Sequence, residues 1–529
     1  MTVFPPTRLG RRAGEWWPGV AFVAAASVLV AWLGRWGPDW PAQEFRAWIA
    51  GHDGLSLWTM RWYGGSALPG YSVLYPPLAA VVGPGLVGVL ACVAAAWVAT
   101  GLAPRTNRVR AIAFDFAVAL GLVGNLLIGQ LPFLLGVAFG AAALRCALSG
   151  NRAVATAVLA ALTSLASPLA GAFLLLALPA LVVARSWRAS LPLLGAVAGS
   201  LVAALVGGAN GPFPCPWQTF AGVAAFCVAV LVIAPRRARA LQVFAASYLL
   251  VDVIVFIVPD PVGGNIARLG KLVAGPLACW LVRGTHGQWR RTRTAALAGL
   301  AAATVVWPTL IQTISMVHDA ADPSRNEHFY GGLDHYLATH PANAARIEIP
   351  FTRGHWEAYY VARRYPIARG WERQSDLLYN GVLYRRLTAQ RYRHWLADNA
   401  ITLVALPRAQ LDVGGQPEAS LLRHPPGYLV PVFHDAHWRV WRVRNATPIV
   451  TGAATLVRQQ PAGLVVRFVK PGTALVRVRA STLWVSQRPG TCVGTTRDGW
   501  LRVHDRRAGT VTLVASLNVD VLTGADGCN

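Results

Sequence analysis

Up to about Ile314 the chain is a succession of long apolar blocks, and beyond it apolar and polar residues alternate. That change of pattern constrains the fold more than any motif does. A helix crossing a bilayer needs about 20 consecutive apolar residues, whereas period-two alternation suits a strand with one buried face. The chain therefore reads as a polytopic membrane domain over residues 1–317 followed by a water-soluble part. Composition agrees. Only 13% of residues are charged and 54% are hydrophobic, against about 25% charged in a soluble domain.

Eleven apolar segments are expected to cross the membrane: 17–34, 77–101, 111–128, 131–148, 153–166, 168–184, 191–206, 220–234, 241–258, 266–282 and 295–314. The fifth and sixth are short and meet at Ser167-Pro168, where a tight hairpin fits the charges better than one kinked helix. With that count the basic loops RLGRR, PRTNRVR, SGNR, RSWR, PRRARA and RGTHGQWRRTRT all fall on one side. The positive-inside rule makes that side the cytoplasm. The N-terminus is then cytoplasmic, the protein a multi-pass plasma-membrane protein, and the C-terminal part extracytoplasmic. The first segment lacks a small-x-small cleavage site and reads as a signal anchor. No internal repeat is evident, which counts against a transporter built from two related halves.

The net charge of +25 is orientation charge in short loops, not a nucleic-acid footprint, because no basic stripe accompanies a DNA-binding motif. Nearly all the cations are arginine; Lys271 and Lys470 are the two lysines. Cys92, Cys146, Cys227 and Cys279 sit in apolar segments as small hydrophobes. Cys492 and Cys528 are the two cysteines of the soluble part and are expected to pair if it is exported. No CxxC or HExxH spacing occurs. The sequence leaves the metal unknown, with a divalent cation not excluded.

In the soluble part, ARIEIPF and ITLVALP read as strands and TAQRYRHWLADNA as an amphipathic helix between them. With LVPVFHDAHWRVWRV as a strand pair, residues 318–445 make an α/β unit. Over 446–529, GLVVRFV, ALVRVRA, WLRVHD and GTVTLVAS alternate between Gly/Pro turns and predict an antiparallel β-sandwich.

Candidate chemistry gathers on the expected outer face. The first loop, GPDWPAQEFRAWIAGHD, supplies Asp39, Glu44, Arg46 and Asp53, and carboxylates there can act as general bases on a sugar hydroxyl. The following stretch RWYGGSALPGYSVLYPP carries Trp62, Tyr63 and Tyr71, whose rings either stack on sugar faces or form an interfacial aromatic belt. In PDPVGGNIARLGK, Asn265 precedes Arg268 and Lys271, two cations about one helical turn apart that suit a lipid phosphate or else snorkel to headgroups. GNLLIGQLPF offers Asn125 and Gln130, for a ligand or for helix-to-helix bonding. Asp252, inside the ninth segment, is a costly intramembrane carboxylate; Asp115 is similar on the other side and receives no role. TRGHWEAYYVARRYPIARGWERQSD contributes His355, Trp356, Glu357, Arg369, Trp371 and Glu372, suited to carbohydrate recognition or to a buried polar network.

An acidic first loop, many spans and an exported C-terminal part resemble membrane glycosyltransferases of the GT-C type. WYGGSALPGYSVLYPPLAA, IGQLPFLLGVAFGAAAL and GHWEAYYVARRYPIARGWERQ also resemble actinobacterial polytopic proteins of the "6-pyruvoyl-tetrahydropterin synthase-related" membrane family. The GT-C resemblance implies a polyprenyl-phosphate-linked sugar donor and a cell-envelope glycan or glycolipid acceptor. It also implies an acid of the first loop as base or metal contact, here Glu44 or Asp39, with Arg268 and Lys271 holding the departing phosphate. This chain departs from the class in having no tight acidic pair directly after the first helix. Two other function classes stay open: a transporter or lipid flippase working through Asp252 or Asp115, and a scaffold whose exported domain binds glycan or a partner.

Overall fold

The computed structural model describes residues 17–34, 37–68, 70–102, 108–150, 152–206, 211–281, 288–341 and 345–516. Two compact units emerge. One comprises Met1–Trp40, Tyr71–Leu205 and Gly211–Ala320, and is helical; the other comprises Pro41–Gly70, Val206–Asn210 and Ala321–Asn529, and mixes helix with sheet.

In the helical unit, four helical segments are long and apolar enough to cross a membrane: Ala111–Ile128, Leu131–Ser149, Trp187–Ala204 and Arg239–Ile257. A fifth is added if Tyr75–Val82 and Pro84–Thr100, bent by 112°, form one broken span. The break falls at Gly83, whose φ of 89° suits a residue without a side chain, and Pro84 then starts the second piece. Pro18–Leu33, Ala153–Ala166, Pro168–Ala184 and Trp217–Ile233 are apolar but shorter. By length and composition, four or five of the expected eleven segments are candidate spans among the described residues.

Lipid is the solvent these helices fit. Trp32, Val232 and Ile257 are 79%, 74% and 71% exposed, which water would penalise at about 25 cal/mol per Å² of apolar surface. Between helices, small residues permit backbone contact. A Cβ at Gly195 or Gly199 would stand 2.2 or 2.4 Å from the carbonyl oxygens of Ala157 and Ala161. At Ser167 the helix Ala153–Ala166 stops, and the Ser167 hydroxyl caps the next by accepting from Ala170 N at 3.4 Å.

Among its described residues the mixed unit has fourteen short strands. A hairpin of β1 (Trp58–Thr59) and β2 (Ser66–Ala67) comes from the first loop. Next come β3 (Ile347–Glu348), β4 (Leu403–Pro407), β5 (Leu429–His434) and β6 (Trp438–Val443), in the order β3-β4-β6-β5. β3 and β4 pair in parallel, with the helix Ala389–Asp398 in the crossover. The remaining strands are β7 (Val450–Gly452), β8 (Ala454–Gln460), β9 (Gly463–Phe468), β10 (Gly472–Arg479), β11 (Trp484–Ser486), β12 (Cys492–Thr495), β13 (Trp500–Asp505) and β14 (Gly509–Ala515). They form two antiparallel four-stranded sheets, β12-β13-β10-β7 and β11-β14-β9-β8. Their inward residues, Leu464, Val466, Val476, Val503, Val511 and Leu513, share one fully buried core, as the period-two pattern requires. Cys492 is disulfide-bonded; Cys528, its expected partner, lies outside the described residues.

The first loop is part of this unit's interior. Trp58 and Met60 join the sandwich core. Trp62 stacks on Phe45 with centroids 4.1 Å apart, and its Nε1 donates to Ala358 O at 3.1 Å. Tyr63 donates to Gly370 O at 2.6 Å and accepts from Glu372 N at 3.0 Å. Gly370 is the floor beneath Trp62, since a Cβ there would meet the ring at 2.3 Å. Gly370→Ala should therefore destabilise the mixed unit by about 1–3 kcal/mol through overpacking, read as a lowered unfolding temperature of the detergent-solubilised protein. An unchanged temperature would contradict this packing.

Candidate functional site

The helical unit brings one set of the sequence-predicted residues together. Asp39 N donates to Ile128 O at 3.2 Å, and Trp40 Nε1 donates to Leu127 O at 3.3 Å. The segment Gly37–Trp40 thus lies on the turn between the helices Arg108–Ile128 and Leu131–Ser149. Two glycines make the fit: a Cβ at Gly37 would sit 2.2 Å from Ile128 O, and one at Gly129 would sit 2.6 Å from Trp40 N. On the same turn are Asn125 and Gln130, both buried. Asn125 Nδ2 donates to Gly121 O at 2.7 Å, but Asn125 Oδ1 and Gln130 Oε1 have no hydrogen-bond partner among the described residues. Two buried amide oxygens without donors are costly unless a ligand or water supplies them.

Arg268 faces this turn from the start of the helix Ala267–Leu281. One Nη2 lies 3.9 Å from Asp39 Oδ2, at the long end of ion-pair range. The guanidinium also lies over the ring of Phe133 at 5.6 Å. Lys271 follows one turn later on the same helix. The loop ahead of them is fixed locally: Asp260 Oδ1 accepts from Val262 N and Gly263 N, and Asn265 N donates to Val262 O at 2.9 Å.

Tyr248 is a residue the sequence reading missed. Its hydroxyl donates to Ile266 O at 2.7 Å and accepts from Gly270 N at 3.0 Å. These are the two groups that a regular first helical turn would join directly. A fully buried phenol from the helix Arg239–Ile257 is inserted into the turn bearing Arg268, fixing its geometry. Nothing in the sequence marked it, because one tyrosine in an apolar segment looks like any other interior ring.

Phe133 and Leu269 also line an apolar cavity of about 440 Å³ among the helices of this unit. Its wall continues through Gly136, Gly140, Phe173 and Trp280 and includes no charged side chain among the described residues. Arg268 therefore lies over a ring that forms part of the wall of an apolar chamber large enough for a hydrocarbon chain segment.

Other predicted residues lie elsewhere. Tyr71 is half-buried in the helical unit. Glu44 and Arg46 belong to the mixed unit, where Arg46 is buried and ion-paired with Glu372. Trp62 and Tyr63 are the interior rings described above, with no face left for a sugar.

The HWE and WER segments form a buried polar network. His355, at φ 57°, stacks on Trp371 with centroids 3.3 Å apart. It sits 3.8 Å from Asp412 and 4.0 Å from Glu357, and burial pushes its imidazole down to about 3. Trp356 is buried. Glu357, also buried, accepts from Thr352 N at 3.1 Å and from Thr352 Oγ1 at 2.5 Å; burial pushes its carboxyl up to about 8. Arg369 meets Asp376 at 2.7 Å, Glu418 at 3.0 Å and Glu348 at 3.8 Å. One buried cation cannot balance three buried anions. Burial and the neighbouring Glu418 accordingly push the Glu348 carboxyl well above the usual carboxylate range.

No group of three or more His, Cys, Asp or Glu placed to hold a metal ion occurs among the described residues. No family model matches the chain, and no curated protein matches it. Among solved structures, the arabinofuranosyltransferase AftD from Mycobacteria, in a mutant form, aligns with a TM-score of 0.46 at 16% identity, over 84% of this chain and 43% of that one. This chain therefore spans less than half the length of that protein. ArnT from Cupriavidus metallidurans bound to undecaprenyl phosphate aligns with a TM-score of 0.40 at 11% identity, over 82% of this chain and 98% of that one.

Glu357 makes stability pH-dependent with a fixed sign. Its folded pKa of about 8 lies above the ordinary 4.5, so the folded state holds a proton that the unfolded state releases. Stability is then lost as pH rises toward 8, at about 1.4 kcal/mol per pH unit. His355, whose shift runs downward, opposes this only below its ordinary pKa of 6.5. Between pH 6.5 and 8 the unfolding temperature should fall, and Glu357→Gln should flatten that fall. An equally steep fall in the variant would show that Glu357 is already ionised.

Proposed function

We propose that this protein is a membrane glycosyltransferase. In this reading it transfers a sugar from a polyprenyl-phosphate carrier to a cell-envelope glycan or glycolipid, with the mixed unit on the extracytoplasmic side. One observation carries it: the Asp39 carboxylate stands beside the Arg268 guanidinium, and that guanidinium lies over a wall residue of an apolar chamber. A donor of this kind has the same three parts: an apolar tail, an anionic phosphate and a sugar.

The chain's own residues then have distinct tasks. The chamber takes isoprenyl units, whose burial contributes about 0.8 kcal/mol per CH₂. Arg268 and Lys271 hold the phosphate by charge-assisted hydrogen bonds. Until the phosphate arrives, Asp39 is the counter-ion of Arg268; once it arrives, the guanidinium turns to the phosphate and the carboxylate is released as a base. Asp39 takes the proton of an acceptor hydroxyl, and that oxygen attacks the anomeric carbon. The bond from that carbon to the phosphate oxygen breaks, and the leaving phosphate keeps the electron pair beside Arg268 and Lys271. Asn125 Oδ1 and Gln130 Oε1 accept from sugar hydroxyls. Glu44, in the mixed unit, is the alternative base.

The test is transfer from a panel of polyprenyl-phosphate sugars by protein reconstituted in lipid. Asp39→Asn should lower kcat by about 10²–10⁴-fold, the usual value of a general base, while donor binding persists. Arg268→Gln should mainly raise the donor KM. Full activity of Asp39→Asn together with loss in Glu44→Gln would move the base to Glu44. Absence of both binding and transfer across the panel would overturn the reading.

Tyr248 acts through Arg268. Tyr248→Phe keeps the ring and removes the bridging hydroxyl, so donor KM should rise several-fold with kcat little changed. A fall in kcat alone would contradict the positioning role.

A second reading, substrate transport, is favoured by Asp252. It is fully buried in the helix Arg239–Ile257, and neither carboxyl oxygen has a hydrogen-bond partner among the described residues. Flux in proteoliposomes that Asp252→Asn abolishes, without any sugar transfer, would establish that reading instead.

A further inference from the structure

Another concavity lies in the mixed unit, lined by none of the residues assigned to sugar transfer. It is a pocket of about 430 Å³ at the open edge of the four-stranded sheet, lined by Arg408, Arg439 and His434 together with Val432, Phe433 and Trp441. β5 is the edge strand, and its register with β6 shifts between Pro431 and Phe433, so Val432 drops out of the pairing. Such bulges at an edge re-aim side chains and are common beside sites. Arg408 follows β4 and is held by its backbone N, which donates to His437 O at 2.7 Å. Arg439 is opposite His434 in the ladder, and its guanidinium lies 5.6 Å from the centre of the Trp441 ring.

The charges of this pocket are uncompensated. Elsewhere in the unit Arg363, Arg364, Arg369 and Arg373 each meet a carboxylate, while the buried Arg346 and Arg479 are taken up by carbonyls and rings. Arg408 and Arg439 meet none among the described residues, and Arg439 Nε is buried without an acceptor. The nearby acid Asp435 uses Oδ1 for the turn, accepting from His437 N and Trp438 N, and is not a lining residue. Two guanidinium groups sharing one concavity repel unless an anion lies between them. Arginine's planar fork matches a carboxylate in two-point contact, and Pro431 and Val432 of the edge strand supply apolar surface for the C–H face of a sugar.

We infer that this pocket binds an acidic saccharide, with its carboxylate between Arg408 and Arg439 and its ring against Pro431 and Val432 of the edge strand. The volume falls within the range of small-ligand sites, about 300–1,000 Å³. This inference is independent of the catalytic reading, because none of these residues takes part in it.

The experiment is calorimetric titration of the full-length protein in detergent with a glucuronate-containing tetrasaccharide and with its carboxyl-reduced, neutral counterpart. The acidic sugar should bind at least tenfold more tightly, and more weakly as salt is added. The double variant Arg408→Gln/Arg439→Gln should lose at least tenfold in affinity. Arg408→Gln alone, at an exposed position, should lose part of it with an unchanged unfolding temperature. Equal binding of the neutral sugar, no binding at millimolar concentration, or unaltered binding in the variants would each overturn the proposal. So would displacement by inorganic phosphate at matching concentration, which would mark a simple ion site. Sugar-transfer activity bears on none of these outcomes.

Discussion

Charge in a medium that does not solvate it is the constraint on which this structure turns. In the helical unit, lipid surrounds the segments and the interior is packed with Gly, Ala, Val and Leu. An arginine there keeps its charge only by finding an anion or an aromatic face, and Arg268 has both in Asp39 and Phe133. The pair is loose at 3.9 Å. A tight buried pair would be costly to open, whereas a loose one can exchange one of its members for a ligand's phosphate.

The mixed unit meets the same constraint by other means. Arg369 is clamped by three carboxyls, and burial together with Glu418 raises the Glu348 carboxyl well above the usual range. Arg346 and Arg479 have no carboxylate partner among the described residues: Arg346 donates to the carbonyls of Asn399 and Arg477, and Arg479 lies over the Trp500 ring at 3.8 Å. Arg479 Nε also donates to Tyr63 O and Arg346 lies against Gly64, so these cations fasten the first loop within this unit. The loop's tryptophans and tyrosines are dense because they fill a core. Its glycine pair is required by backbone at φ 74° and 120°.

Much of the fold was legible beforehand because periodicity reports burial. The strands of the sandwich, the helix after Thr388 and the β5–β6 pair follow from patterns that only one local structure can bury. Helix lengths and breaks within the apolar blocks were less legible. Apolar length is a sufficient signal for a span, but short, bent or glycine-broken helices carry the same composition, as the turn at Gly83 shows. Aromatic residues misled in a similar way, since Trp62 and Tyr63 have the composition of a sugar platform and the burial of a core.

The candidate site divides along the same line. Asp39, Asn125, Gln130, Arg268 and Lys271 were visible as polar residues that apolar surroundings do not tolerate without a reason. Their meeting was not visible, because more than two hundred residues of chain separate Asp39 from Arg268, nor was Tyr248, whose partners Ile266 and Gly270 lie on the next helix and touch it only once the two pack. The sequence by itself determined which residues prefer lipid, which alternate as strands and which charges need partners, since those are properties of side chains and their spacing. Tertiary structure alone decided which carboxylate faces which guanidinium, and which rings face a cavity and which a core. Such pairings arise from packing distances that no local pattern encodes.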